Sequence, residues 1–275
     1  MNYTFDGEYI KLSGVADFSL PATFDCGQCF RWNAGESGTY RGVAFGRYLE
    51  ISRDGDAILL KTTETDFREV WRDYFDLDTD YAAIRRHVSI NPHMETAAEF
   101  GAGIRILRQE KWEALCSFII SQCNNIPRIK GIVEKLCTLY GEEISDGVYA
   151  FPPAETVAAL TEADLAPLRA GYRAKYILAA ARAVTEGAVD LEELAALPPN
   201  DALGVLKTLP GIGNKVATCA LLFGLHQLDA FPVDVWMKRA MAANFDSDFD
   251  HRAFSPYAGV AQQYIFNYER NRPKD

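Results

Sequence analysis

No apolar run in this 275-residue chain reaches the ~18 residues needed to cross a bilayer. The opening residues, Met1-Asn2-Tyr3-Thr4-Phe5-Asp6, lack the basic stretch and apolar core of a secretion signal. The expectation is a cytoplasmic protein, at the nucleoid in a bacterial cell, with no membrane partner. There is no basic surplus either: 28 Lys and Arg face 38 Asp and Glu, a formal charge of −10. That counts against nucleic-acid binding, which usually leaves a basic footprint, yet binding follows the local field rather than the total. The segment Leu168–Arg182 holds Arg169, Arg173, Lys175 and Arg182 and no acid, whereas acids gather in Glu64–Asp80 and Asp246–Asp250. A basic face on an acidic protein is therefore allowed. Closely spaced cysteines are also scarce. Of the six, only Cys26-Gly-Gln-Cys29 forms a CxxC, and the second ligand pair of a zinc site is missing. A redox CxxC opens a helix after a strand, whereas Phe30-Arg31-Trp32 reads as continuing strand. Without an export signal the thiols are expected to be reduced. Repeats and low-complexity tracts are absent.

What is present reads as an α+β protein. Hydrophobic residues make up 48% and charged residues 24%, an ordinary globular balance. Tyr48–Ser52 and Ala57–Lys61 flank Asp54-Gly55, a strong hairpin turn, and the first ~65 residues read as antiparallel sheet. From Asp66 the periodicity turns helical. Lys111–Gln122 places Trp112, Leu115, Cys116, Ile119 and Ile120 on one face. Further helices are predicted over 127–140, 173–186, 200–208, 215–224, 235–243 and 256–270. The expected division is a β-rich N-terminal domain over 1–96 and a helical domain over 97–275.

The turn Leu209-Pro210-Gly211-Ile212-Gly213 lies between two of these short helices. Pro210 stops a helix and two glycines permit positive φ, which gives a tight helix-hairpin-helix. Exposed N–H groups at the next helix's N-terminus favour a phosphate and contact backbone rather than bases. A plain αα-hairpin fits the same five residues. Lys215 falls in the first turn of the second helix, where the positive dipole end disfavours an ammonium by ~0.3–1 kcal/mol. The same field, with burial, favours the neutral amine, a nucleophile able to form a Schiff base. A solvent-facing lysine on a phosphate is the alternative. Nineteen residues on, Asp234 follows Pro232-Val233 and precedes an apolar periodic run, the position of an N-cap. A cap carboxylate can also be held beside a cavity. Cys219 lies one turn beyond Lys215 on the same face, as a pocket wall or simply a small buried residue.

The run Leu209-Pro-Gly-Ile-Gly-Asn-Lys215 with Pro232-Val-Asp234 resembles the helix-hairpin-helix superfamily of DNA glycosylases. Within it, the chain resembles the 8-oxoguanine DNA glycosylase/AP lyase family over nearly its whole length. Gly27-Gln-Cys-Phe-Arg-Trp32, Cys123-Asn-Asn-Ile-Pro-Arg-Ile129, Gly171-Tyr-Arg-Ala-Lys-Tyr176 and Ala261-Gln262 with Phe266 occur in the family's order. The resemblance implies that Lys215 attacks the sugar C1′, while Asp234 activates the amine or stabilises the cationic sugar. Gly27 would offer its carbonyl to the N7–H that distinguishes 8-oxoguanine from guanine. Cys219 and Phe266 would sandwich the flipped base, and Gln262 would bond its pairing edge. Tyr172 would wedge into the stack, with Asn124 beside it, while Arg128 and Arg173 would bond the orphaned cytosine. Gly211 and Gly213 would let the hairpin approach the DNA backbone, and the carbonyls of Lys207, Leu209 and Ile212 would hold a structural cation. No other cofactor is implied.

There are departures. Cys123 stands where asparagine is expected, Trp236 where animal relatives have histidine, and Cys29 where some members have serine. The implied partner is damaged double-stranded DNA, bound by a monomer. Rival readings are a helix-hairpin-helix glycosylase for another damaged base, a non-catalytic DNA-binding module, and a small-molecule Schiff-base lyase. No cysteine follows Cys219, against the iron–sulfur branch, and Lys215 argues against the alkyl-base branch.

Overall fold

The computed structural model describes residues 1–246 and 249–272. Alternation of apolar and polar residues builds the N-terminal sheet. Its strands are β1 (Asn2–Phe5), β2 (Tyr9–Ser13), β3 (Asn33–Ala34), β4 (Tyr40–Ala44), β5 (Arg47–Asp54) and β6 (Ala57–Lys61). All pairs are antiparallel, in the order β1-β2-β6-β5-β4-β3. The register aligns Ile10, Leu60, Ile51 and Tyr40 in one row across four strands, all buried. A single residue of slip would turn that row to solvent, so the pattern itself pins the register. The Asp54-Gly55 turn is as expected, with Gly55 at positive φ.

Two expectations for this region change. A short helix, α1 (Leu20–Phe24), capped by Ser19, interrupts the strands. Phe30-Arg31-Trp32 is irregular rather than strand, and pairing begins only at Asn33. Ring packing explains this. The Trp32 indole stacks on Phe24 (4.2 Å between centroids, 9°) and donates to the Tyr74 hydroxyl at 2.7 Å. The backbone follows the buried ring instead of a ladder.

The helices used below are α2 (Pro92–Phe100), α3 (Lys111–Ile120), α4 (Ile126–Tyr140), α5 (Arg173–Thr185), α6 (Pro199–Leu206), α7 (Asn214–Cys219), α8 (Val235–Asn244) and α9 (Ala258–Asn271). Apart from α2, which the predicted set did not include, they match it to within a few residues at each end, and the helix expected over 215–224 divides into α7 and a π-helical segment, Ala220–Gly224. A two-stranded hairpin, Glu143–Ser145 with Val148–Tyr149, lies outside that expectation. Helix α3 is not one-faced: Trp112 through Ile120 are all buried, because α4, α5 and α7 with the 220–224 turn pack around it.

Two hydrophobic cores result, one under the sheet and one among the helices. The boundary expected at 96/97 falls inside α2, whose buried Met94, Ala97 and Ala98 join the helical core. The CxxC segment threads between the cores. Cys26 and Phe30 belong to the helical one, Cys29 and Trp32 to the sheet. Burial pushes both thiols up from their ordinary values, so they pack as small apolar groups.

Candidate active site

Gly211 opens the hairpin between α6 and α7 at φ +78, and its α-carbon packs against the Tyr176 ring where any Cβ would collide. Glycine is required there for both reasons. Gly213 is the N-cap of α7 in extended backbone, exposed and open on its side-chain face. The turn is locked by Ile212 N–H donating to the Leu209 carbonyl at 3.1 Å. Among the described residues, no turn or cap hydrogen bond engages the carbonyls of Lys207 and Ile212.

Helix α7 then carries Lys215 and Cys219 into a cleft whose far wall is the segment before α8. Asp234 caps α8: one carboxylate oxygen accepts from Met237 N–H at 2.8 Å. Its other oxygen has no hydrogen bond among the described residues. Asp234 therefore caps α8 and lines the cleft at the same time. Lys215 Nζ donates to Ser121 Oγ at 3.1 Å and lies 5.6 Å from the Phe118 ring centre. Burial pushes the Cys219 thiol up; the Lys215 charge opposes this and the Asp234 charge reinforces it.

Lys215 and Asp234 both line three adjoining cavities. The innermost, about 60 Å³, is walled by Gly27, Cys219, Gln262 and Phe266 together with Cys26, Phe118, Phe223, Pro232 and Gln263. The middle one, about 270 Å³, adds Asn124, Trp236 and Arg270, and the outermost, about 530 Å³, opens past Gln122, Cys123 and Gly213. Phe266 borders both inner cavities. Gln262 is 5% exposed, and its Oε1 is buried without a partner among the described residues. A buried acceptor with no donor is costly, and this one belongs to a residue that lines the innermost cavity.

The loop bearing Gly27 is held by side chains that the sequence reading did not single out. Gln28, fully buried, donates to the carbonyls of Thr23 and Arg105 and accepts from Leu107 N–H. Gln109 donates to the Gln28 carbonyl, and Gln263 to the Cys26 carbonyl. Gly27 itself sits at φ +87 against Ile126. Ser121, Phe118, Gln263 and Arg270 carried no local signal, because each gains its role from residues far along the chain.

A second group lies at the rim. Tyr172 is 48% exposed, with the Arg173 guanidinium 4.6 Å from its ring centre. Arg173 is itself buried and donates to the carbonyls of Gln122, Cys123 and Ala170, which leaves little of its fork free. Arg128, exposed at the start of α4, reaches the Arg169 carbonyl at 3.4 Å. Asn124 donates to the Ile120 carbonyl and accepts from Asn125 N–H. Cys123 is exposed at φ +47, a conformation asparagine tolerates better than most residues. Trp236 is 44% exposed at the cleft. Among the described residues, no three of His, Cys, Asp and Glu gather as metal ligands, and no helix is long and apolar enough to cross a membrane.

The family model described as 8-oxoguanine DNA glycosylase, N-terminal domain, matches residues 12–115. The HhH-GPD superfamily base excision DNA repair protein model matches residues 116–250. An N-glycosylase/DNA lyase OGG1 of Arabidopsis thaliana is 30% identical, over 92% of this chain and 73% of that one. An N-glycosylase/DNA lyase of Saccharomyces cerevisiae is 38% identical, over 60% of this chain and 48% of its own. Among solved structures, MBOgg1 in complex with a low affinity DNA ligand superposes with a TM-score of 0.93 at 40% identity, covering 99% of both chains. The Clostridium acetobutylicum 8-oxoguanine glycosylase/lyase bound to double-stranded DNA with cytosine opposite 8-oxoG gives 0.92 at 36%, covering 98% of both.

Proposed function

The chain belongs to the 8-oxoguanine DNA glycosylase/lyase family, and on that premise we propose how its own residues perform the reaction. It is a bifunctional N-glycosylase/DNA lyase of base excision repair that removes 8-oxoguanine opposite cytosine from duplex DNA. The observation that carries the assignment of roles is the innermost cavity, where Lys215, Asp234, Gly27, Cys219, Gln262 and Phe266 meet.

A base inside a duplex hides its C1′, so the nucleotide is extruded at a cost of a few kcal/mol. Tyr172, exposed at the rim, fills the stack, and Arg128 with Asn124 and the remaining donor capacity of Arg173 meets the orphaned cytosine. The lesion enters between Cys219 and Phe266. The inner cavity, about 60 Å³, shares its Phe266 wall with the cavity of about 270 Å³, and the purine draws on both. The Gln262 side-chain amide, on the wall of the inner cavity, bonds the pairing edge. The Gly27 carbonyl accepts from N7–H of 8-oxoguanine and repels the bare N7 of guanine.

The Lys215 amine then attacks C1′. A C–N bond forms, the glycosidic bond breaks with its electron pair leaving on the base, and the base takes a proton. The Asp234 carboxylate stabilises the positive charge that develops on the sugar. Opening of the sugar ring gives the Schiff base. Loss of a C2′ proton then expels the 3′ phosphate, which is the lyase step.

The hairpin binds DNA backbone at the exposed Gly213 and the N-terminus of α7. The carbonyls of Lys207, Leu209 and Ile212 offer an all-oxygen donor set suited to a hard structural cation. One chain supplies nucleophile, carboxylate and base pocket, which supports a monomer; its place is the cytoplasm, at the nucleoid in a bacterial cell, where the duplex substrate lies.

Borohydride trapping on a duplex with one 8-oxoguanine opposite cytosine tests the assignment. The native protein gives a covalent adduct; Lys215→Gln gives none and still binds the lesion. An adduct with Lys215→Gln removes Lys215 from the chemistry.

A further inference from the structure

We propose that Ser121 is a positioning residue for the reaction: its hydroxyl holds the Lys215 amine in line for attack. The inference rests on Lys215 being the nucleophile.

Ser121 follows α3 and is 8% exposed. Its hydroxyl proton is committed, since Oγ donates to the Phe118 carbonyl at 2.8 Å. Only lone pairs therefore face Lys215 Nζ, 3.1 Å away. Ser121 is an acceptor toward the amine and nothing else. The second constraint is the Phe118 ring, 5.6 Å from Nζ. That ring cannot drift: it stacks on Phe223 (5.2 Å, 20°) and meets the edge of Phe30 (5.7 Å, 72°). Both restraints come from α3, which is buried on every side.

The restraint matters because the surroundings are roomy. Lys215 borders open space of about 270 Å³ on one side and 530 Å³ on the other. Without an anchor, the tip of a four-carbon side chain samples both. Attack on C1′ needs the nitrogen in contact with the carbon along one direction, and an ångström of misplacement costs about a hundredfold in rate. The bond to Ser121 and the Phe118 face together hold the tip of Lys215 beside the cavity that Asp234 also lines. Ser121 touches neither base nor sugar in this scheme and acts through Lys215.

A serine that bonds the carbonyl three residues back is also a way to finish a helix. The test separates the two roles. Ser121→Ala and Ser121→Thr are compared with the native chain on the same lesion duplex by single-turnover borohydride trapping, lesion affinity and thermal midpoint. With a positioning role, Ser121→Ala traps roughly tenfold to a hundredfold more slowly, while affinity stays within about twofold. Ser121→Thr, which keeps the hydroxyl and borders open space, recovers most of the rate. A native trapping rate in Ser121→Ala overturns the proposal. So does a loss that tracks affinity or thermal midpoint and is not restored by threonine, since the hydroxyl then serves only the helix end. Lys215→Gln runs in parallel. An adduct from it strikes the nucleophile assignment, and with it this inference, which is a different result from unimpaired Ser121→Ala.

Discussion

Gln263 Nε2 donates to the Cys26 carbonyl at 3.0 Å, joining positions 237 residues apart in the chain. The bond links α9, which carries Gln262 and Phe266, to the loop that carries Gly27. Whatever fixes the wall that carries Gln262 and Phe266 thus also fixes the loop whose Gly27 carbonyl is proposed to read the lesion. Gln263→Leu should relax discrimination between 8-oxoguanine and guanine by several-fold and cost about 1–2 kcal/mol of stability. Competition between lesion and undamaged duplexes measures the first, denaturant unfolding the second. Unchanged discrimination would leave Gln263 a packing residue.

One substitution separates the cap that Asp234 forms from the catalytic role proposed for it. Asparagine caps a helix about as well as aspartate, so Asp234→Asn keeps the bond to Met237 N–H and changes stability by only a few tenths of a kcal/mol. The charge is lost, and base release should slow by about a hundredfold or more with lesion affinity little changed. Single-turnover base release on matched duplexes checks this. A native rate would reduce Asp234 to its cap.

Gly211→Ala should disrupt the hairpin, because its φ of +78 disfavours a Cβ and the Tyr176 ring occupies the space. The expected cost is about 1–3 kcal/mol, with weaker binding to undamaged duplex as well as to the lesion. Gly213→Ala meets open space in an extended conformation and should be far milder in stability. Equal effects at the two glycines would contradict this geometry.

Asp76 sets an acid limit on the fold. Burial pushes its carboxyl up, but the hydrogen bond and charge of His226, the charge of Arg108 and the Thr79 hydroxyl outweigh this and hold it down at about 2. A depressed carboxyl contributes stability above its unfolded value near 3.8 and loses it as pH falls toward 2. Asp76→Asn should therefore cost about 2 kcal/mol near neutrality, and the gap to the native chain should close across that window. Chemical denaturation as a function of pH reads it directly.

Glu113 works in the opposite sense. Burial raises its carboxyl to about 8; the Arg31 charge opposes this and Glu110 adds to it. The folded chain then keeps a proton that the unfolded chain releases near 4.5, so stability falls as pH rises from 4.5 to 8. Glu113→Gln should change stability little at pH 5 and be stabilising at pH 8, by roughly 4 kcal/mol or about 10 °C in thermal midpoint. A pH-independent effect would mean that the carboxylate finds a partner as it ionises.

The sequence by itself determined the elements and the chemistry-bearing turn. Alternation across 48–61, helical periodicity in 111–140 and 173–186, and the Leu209–Lys215 run are local signals, because strand, helix and turn are chosen by neighbours in the chain. The fold class followed, as did the family. Tertiary structure decided what neighbours cannot. It ran the CxxC between two cores, made Phe30–Trp32 irregular to bury an indole, and buried α3 on every face. It turned Arg173 onto carbonyls and left the Gln262 oxygen without a partner. It also brought Ser121 to Lys215 across 94 residues. Those outcomes depend on which surfaces meet when the two cores close, and contact between distant segments leaves no period or motif in the chain.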